Sequence, residues 1–232
     1  MSGITIDGTY NARWAILSPG VAPWLARTAS LDSVSTAGAT QIADLGFALV
    51  LDLREDGERA LPVHGVPVTH VPLFRLPDGP PASGSLERLY EFLLVERAPQ
   101  LTEAVAAIAD SSGPVLVHCT AGKDRTGLVV ALALLAAGHE ETDVVADYAL
   151  SAGVVRAERQ AIAEATLLPM NLDAADHAAS LRLHLDSPAE AMQHALRTLS
   201  ALGGAEAFLI RNGLRAEQLQ ALRRSLGRPI DD

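Results

Sequence analysis

The segment Val115 to Ala137 constrains the fold more than any other stretch of this chain. Three apolar residues, Val115-Leu116-Val117, lead into the polar, glycine-bearing run His118 to Gly127, and then into Leu128 to Ala137, which is apolar all round. A helix without a polar face has to be buried on every side, and a short apolar run bounded by turn residues reads as a buried strand. Strand, tight loop and central helix in that order demand layers on both sides, which is an α/β arrangement. Phe47 to Leu53 reads as a second buried strand. Val66 to Leu73, cut by Pro67 and Pro72, reads as a short strand near a sheet edge. Helices are predicted over about 32–45, 86–95 and 101–109, the last two separated by Pro99, and the Pro- and Gly-rich run Arg75 to Ser85 reads as a loop. From Glu141 onward the pattern is helical, over about 142–151, 154–168, 188–202, 204–212 and 215–226. No linker divides the chain, so residues 1–232 are expected to form one domain. Its predicted architecture is a central, mostly parallel sheet flanked by helices, with about 141–232 as a helical cover.

Charge narrows the partners. The chain has 232 residues with 18 Lys+Arg against 28 Asp+Glu, a formal net charge of -10. Such a balance argues against nucleic acid and against an anionic membrane surface. The one cysteine, Cys119, excludes an internal disulfide and a cysteine metal cluster, and the histidines lack metal-ligand spacing. Neither a metal nor another cofactor is expected. No apolar run is long enough to cross a bilayer and the N-terminus lacks an apolar signal region, so a cytoplasmic location without stable membrane insertion is expected.

The run from His118 to Gly127 carries the chemistry. A loop between a strand and a helix N-terminus aims several backbone N–H groups at one spot, and the helix dipole adds positive potential there. Thr120, Ala121, Gly122, Lys123, Asp124 and Arg125 form the expected phosphate cradle. Gly122 permits the tight bend, and Arg125 offers a planar fork that can grip a phosphate bidentately. Cys119 stands at the entrance, where a helix N-terminus and an arginine favour the thiolate and make it the candidate nucleophile. Thr126 is placed to hydrogen-bond the sulfur, and His118 to orient the loop without transferring protons. Lys123 is the single lysine of the chain. It reads either as a charge that raises the loop's potential or as the contact for a second phosphate.

Cys119, five residues, Arg125 and Thr126 resemble the signature of the cysteine-dependent protein tyrosine phosphatase superfamily. The Gly122-Lys123-Asp124-Arg125-Thr126-Gly127 version is similar to bacterial tyrosine phosphatases of the secreted mycobacterial type, some of which also act on phosphoinositides. Arg27-Thr28-Ala29-Ser30-Leu31, Asp52-Leu53-Arg54 with Glu58, Asp147-Tyr148-Ala149-Leu150-Ser151, and Gly203-Gly204 to Gly213-Leu214 resemble further features of that family. The resemblance implies a phosphatase-like α/β sandwich that hydrolyses phosphomonoesters through a cysteinyl-phosphate. Phosphotyrosine in proteins is the leading substrate, with phosphoserine/threonine (dual specificity) and phosphoinositides beside it.

The leaving oxygen needs a proton, and three aspartates compete to supply it. Asp124 precedes Arg125, as in myotubularin-type and inositide phosphatases, which this chain resembles at that position. Asp78 lies in the loop where many tyrosine phosphatases carry a mobile acid. Asp52 lies at a strand end, beside Arg54 and Glu58, which suggests an ion-pair cluster. Arg54 is read as neutralising Glu58 or as supporting the site from behind. Two other functions compete with hydrolysis: a rhodanese-like sulfurtransferase and a phosphate-binding module without catalysis.

Overall fold

The computed structural model describes residues 3–60, 64–76 and 79–226. Five strands, β1 (Arg13–Trp14), β2 (Leu25–Thr28), β3 (Leu49–Asp52), β4 (Val68–His70) and β5 (Val115–His118), form one sheet in the order β1-β2-β5-β3-β4. The β2–β5, β5–β3 and β3–β4 pairs are parallel, and only β1 runs antiparallel to its neighbour. The sheet is therefore mostly parallel, as expected, and the strand interrupted by prolines does take an edge.

Alternation along the strands divides the core. Leu25, Leu51, Val115 and Val117 face one apolar cluster, whereas Ala26, Val50 and Leu116 face another. The second face is covered by α1 (Thr36–Asp44) through Ile42, by the N-terminal Ile6 and by Phe47, against which the Trp14 ring packs at 5.4 Å. The first face meets α2 (Leu86–Glu96), α3 (Ala98–Ala109) and α4 (Asp124–Ala137). From Arg125 to Leu134 every residue of α4 is buried, which is what a helix without a polar side requires. Gly138, at φ +99°, ends it in the left-handed conformation.

Six helices follow: α5 (Glu141–Ala149), α6 (Ser151–Leu167), α7 (Ala174–Leu185), α8 (Ala189–Ala201), α9 (Gly204–Arg211) and α10 (Ala216–Arg224). Met192, Leu199, Phe208, Leu209 and Leu222 from this part join the same cluster as α2–α4. Among the described residues, no helix is long and apolar enough to cross a membrane.

Three elements escaped the sequence reading. β1 and β2 span two and four residues, too short for an alternation to register, and β2 contains the buried Arg27. α7 has no clear apolar stripe; its start is marked by Asp173, whose carboxylate accepts from the Asp176 N–H at 2.8 Å. Pro99 falls in the first turn of α3, where a missing N–H costs little, rather than between two helices.

Candidate active site

Register brings the ends of four strands together. Thr28 lies opposite His118, His118 opposite Asp52, and Asp52 opposite His70. Cys119 leaves the central strand at this carboxyl edge, where open α/β sheets bind ligands. The loop Cys119–Lys123 then turns into α4.

The loop's carbonyls are held from behind. Ser30 N–H donates to Thr120 O at 3.1 Å. Asn11 Nδ2 donates to Ala121 O and Gly122 O, both at 3.1 Å. Arg27 Nη2 donates to Gly122 O at 2.8 Å and Lys123 O at 3.3 Å. In a trans peptide the N–H points opposite the C=O. Pulling back the carbonyls of residues 120–123 therefore turns the N–H groups of Ala121, Gly122, Lys123 and Asp124 to the other side. Gly122 has φ +66°, and a Cβ there would sit 2.2 Å from Thr28 O, so the bend admits only glycine.

Arg27 and Arg13 share one carboxylate. Arg27 Nη1 donates to Asp147 Oδ2 at 2.6 Å and Arg13 Nε to Asp147 Oδ1 at 2.9 Å, while Arg13 Nη1 orients the Asn11 amide at 2.6 Å. All four residues are buried. Two guanidinium groups against one carboxylate leave a net positive charge beneath the loop. The family-like segments around Arg27 and Asp147 thus meet as a single support.

On the other side, an open cavity of about 610 Å³ is lined by Cys119, Thr120, Ala121, Asp124, Arg125 and Glu58, with Phe74, Pro80, Pro81, Leu89 and Leu183 as apolar wall and Arg159 and His184 at polar positions. Arg125 is clamped by Glu58, Nη1 to Oε2 at 2.6 Å and Nη2 to Oε1 at 2.8 Å, and lies over the Phe74 ring at 5.0 Å. The Glu58 carboxylate therefore pairs with Arg125 and not, as one reading of the sequence had it, with Arg54, whose guanidinium reaches only the Glu58 carbonyl at 2.9 Å. Arg54 instead binds Asp52 through Nε at 3.0 Å and Nη2 at 2.9 Å, and also pairs with Asp32.

Those contacts sort two of the three acids. Asp124 lines the cavity with Cys119. Asp52 is 3% exposed and lies instead in a small separate recess with Arg54 and His118. Burial raises its carboxyl, but Arg54 and His118 outweigh that and hold it below the ordinary range. An ionised, fully paired carboxylate outside the Cys119 cavity fits a structural anchor rather than a proton donor. Asp78 lies outside the described residues.

Lys123 departs furthest from expectation. Its residue is fully buried, and its ammonium donates to Asp124 Oδ1 at 2.9 Å, Leu183 O at 2.9 Å and Asp186 O at 2.7 Å. Three donors meet three acceptors, so the side chain has no hydrogen left for a second phosphate. It fastens the last turn of α7, where a cation is favourable, onto the loop. A sequence shows that a lysine sits in an anion loop; only packing shows which way it turns. Thr126 Oγ1 is buried without a hydrogen-bond partner among the described residues, so the expected bond to the sulfur is not formed.

His118 Nδ1 lies 3.4 Å from Cys119 O and Nε2 lies 3.7 Å from Asp52. Burial pulls its imidazole down to about 4 against the opposing pull of Asp52, which leaves it neutral near pH 7. The ordinary value is 6.5, so protonation favours the unfolded chain. This contribution to stability is complete above pH 6.5 and is lost as the pH falls toward 4. Burial also pushes Glu58 up, but Arg125 and Thr120 hold it near about 2 against an ordinary 4.5. Its contribution is lost only between those two values. Thermal melts should show Tm declining already between pH 6.5 and 4, and His118→Gln should flatten that limb. An unaltered limb in the variant would place the acid sensitivity elsewhere.

The site residues that sequence reading passed over are Glu58 as the Arg125 clamp, Asn11 and Arg13. Glu58 was visible only as part of a motif. The others come from elements distant in sequence, and nothing local marks them.

A family model described as the tyrosine phosphatase family matches residues 21–228. A tyrosine-protein phosphatase of Nostoc commune is 31% identical over 232 aligned positions, covering 87% of this chain and 73% of the relative. The triple specificity protein phosphatase PtpB of Mycobacterium tuberculosis is 45% identical over 67 residues, covering 29% of this chain and 24% of that protein. The core catalytic domain of a PP-IP phosphatase from S. cerevisiae superposes with a TM-score of 0.41 at 15% identity, covering 86% of this chain and 96% of that one. With the Cys119 loop held from behind at the end of the central strand, and with a family match running almost the length of the described chain, this protein belongs to the tyrosine phosphatase family.

Proposed function

We propose that the chain hydrolyses aryl phosphomonoesters, phosphotyrosine in proteins first among them, through a cysteinyl-phosphate intermediate. The observation that carries this reading is the cavity itself. Cys119, Thr120, Ala121 and Asp124 line the same space as Phe74, Pro80, Pro81, Leu89 and Leu183. An anion cradle beneath apolar walls suits a phosphate borne on an aromatic ring, whose faces gain from contact with those walls.

In the first step Cys119 Sγ attacks phosphorus and the ester P–O bond breaks. The proton on Asp124 passes to the leaving oxygen. Arg125 and the N–H groups of the loop stabilise the equatorial oxygens throughout. In the second step water attacks phosphorus, gives a proton to the Asp124 carboxylate, and the P–S bond breaks to release inorganic phosphate. No cofactor enters these steps. Thiosulfate sulfur transfer, the rival reading, has no use for an arginine clamped over the loop or for a carboxyl beside it.

Phosphoinositides are the second substrate class. The local similarity to a triple specificity phosphatase favours them, whereas the occupied ammonium of Lys123 removes the contact that the sequence suggested for a second phosphate. The test is a side-by-side measurement of kcat/KM on a phosphotyrosine peptide, the matching phosphoserine peptide and a soluble phosphoinositide at fixed ionic strength. A preference of about tenfold or more for phosphotyrosine is expected. Equal or better turnover of the phosphoserine peptide would overturn the aryl reading, and thiosulfate-dependent sulfur transfer without phosphate release would overturn the reaction class.

A further inference from the structure

A carboxyl group has two oxygens, and an acid catalyst works only if its proton sits on the one that faces the leaving group. Asp124 has one oxygen occupied. Its Oδ1 accepts from Tyr90 OH at 2.8 Å and from Lys123 Nζ at 2.9 Å. Among the described residues no hydrogen bond reaches Oδ2. An sp² oxygen has two lone pairs, so Oδ1 can take a proton only by dismissing one of its donors.

Tyr90 is fixed in that role from behind. It is fully buried on α2, and its hydroxyl lies 2.6 Å from that of Tyr148 on α5. The one hydrogen of Tyr90 goes to Asp124, so Tyr148 donates to Tyr90. The two rings meet edge to face, with centroids 6.2 Å apart at 81°. Burial, with Asp124 and Tyr148 alongside, raises the Tyr90 hydroxyl well above its ordinary range, so it keeps the hydrogen it donates. Gly127, one turn after Asp124, makes room for this pair. A Cβ there would sit 3.0 Å from Tyr148 Cδ2, so a larger residue would press the ring out of place.

We infer that Tyr90, backed by Tyr148, is a positioning residue that confines the transferable proton of Asp124 to Oδ2. This rests on the reading of Asp124 as the acid, and the test separates the two. kcat/KM is measured for phenyl phosphate, a poor leaving group, and p-nitrophenyl phosphate, which leaves with little help. Tyr90→Phe, Tyr148→Phe and Asp124→Asn are compared with the unaltered protein. Both substrates are assayed on one preparation, so the folded fraction cancels in their ratio.

Tyr90→Phe should lower phenyl phosphate turnover about tenfold and p-nitrophenyl phosphate turnover less than about twofold. Tyr148→Phe should move the ratio the same way by about threefold. Equal loss on both substrates in Tyr90→Phe, with a leaving-group-dependent loss in Asp124→Asn, would overturn the positioning role alone. Equal loss on both substrates in Asp124→Asn would overturn the acid assignment and this inference with it.

Discussion

Cys119→Ser should lower kcat by roughly a thousandfold or more while leaving the affinity for a phosphotyrosine peptide within about threefold. The reasoning separates the nucleophile from its cradle. Serine is nearly isosteric with cysteine, and the loop is shaped by groups that the exchange does not touch. Ser30, Asn11 and Arg27 hold its carbonyls, and Glu58 holds Arg125. The anion site should therefore survive. What is lost is attack, since a hydroxyl is a far weaker nucleophile than a thiolate and the adjoining His118 is not placed to activate it. His118 is kept neutral by burial, and its Nδ1 faces the Cys119 carbonyl. Calorimetric titration with the peptide and a phosphate-release assay check the two halves. Activity above a few per cent of the original would contradict covalent catalysis, and loss of binding would contradict a cradle independent of the sulfur.

Arg27→Met should cost about 3–5 kcal/mol of stability, because it leaves the partner of a buried ion pair without its counter-charge. For a chain of this size that corresponds to a fall in Tm of roughly 6–20 °C. Arg27 is 0% exposed, donates to Asp147 at 2.6 Å, and supplies the bond to Gly122 O at 2.8 Å. Methionine can fill the volume but neither contact. The catalytic effect follows from the same atoms. With the Arg27 bonds to the carbonyls of Gly122 and Lys123 lost, the N–H groups of Lys123 and Asp124 are held less firmly in the orientation that aims them at phosphate. kcat/KM should fall by about a hundredfold at temperatures well below the new Tm, the scale of losing one preorganised oxyanion donor. A variant that melts at the original temperature with unaltered kinetics would show that Arg27 supports neither the fold nor the loop.

What could be read from the residues follows from local physics. The all-apolar stretch Leu128 to Ala137 admits only a buried helix. A strand feeding a glycine loop ahead of it admits an anion site, and Cys119 and Arg125 in that loop define its chemistry. The mostly parallel sheet and the position of the proline-cut strand near its edge came from the same kind of argument. Failures begin where a side chain has to choose among partners from elsewhere in the chain. Lys123 lies in the anion loop by sequence, yet it turns to the carbonyls of Leu183 and Asp186 on a helix that left no periodic trace. Glu58 could be paired on paper with Arg54, four residues away, but Arg54 is held by Asp52 and Asp32, and Glu58 crosses to Arg125. Asp52 and Asp124 were rivals for one role until the register of β3 and β5 set one behind the sheet edge and the other in the cavity wall. Residue type and spacing determine which groups can do chemistry here. Which way each group points is decided by contacts across 60 to 134 residues of chain, and these exist only once the layers have packed.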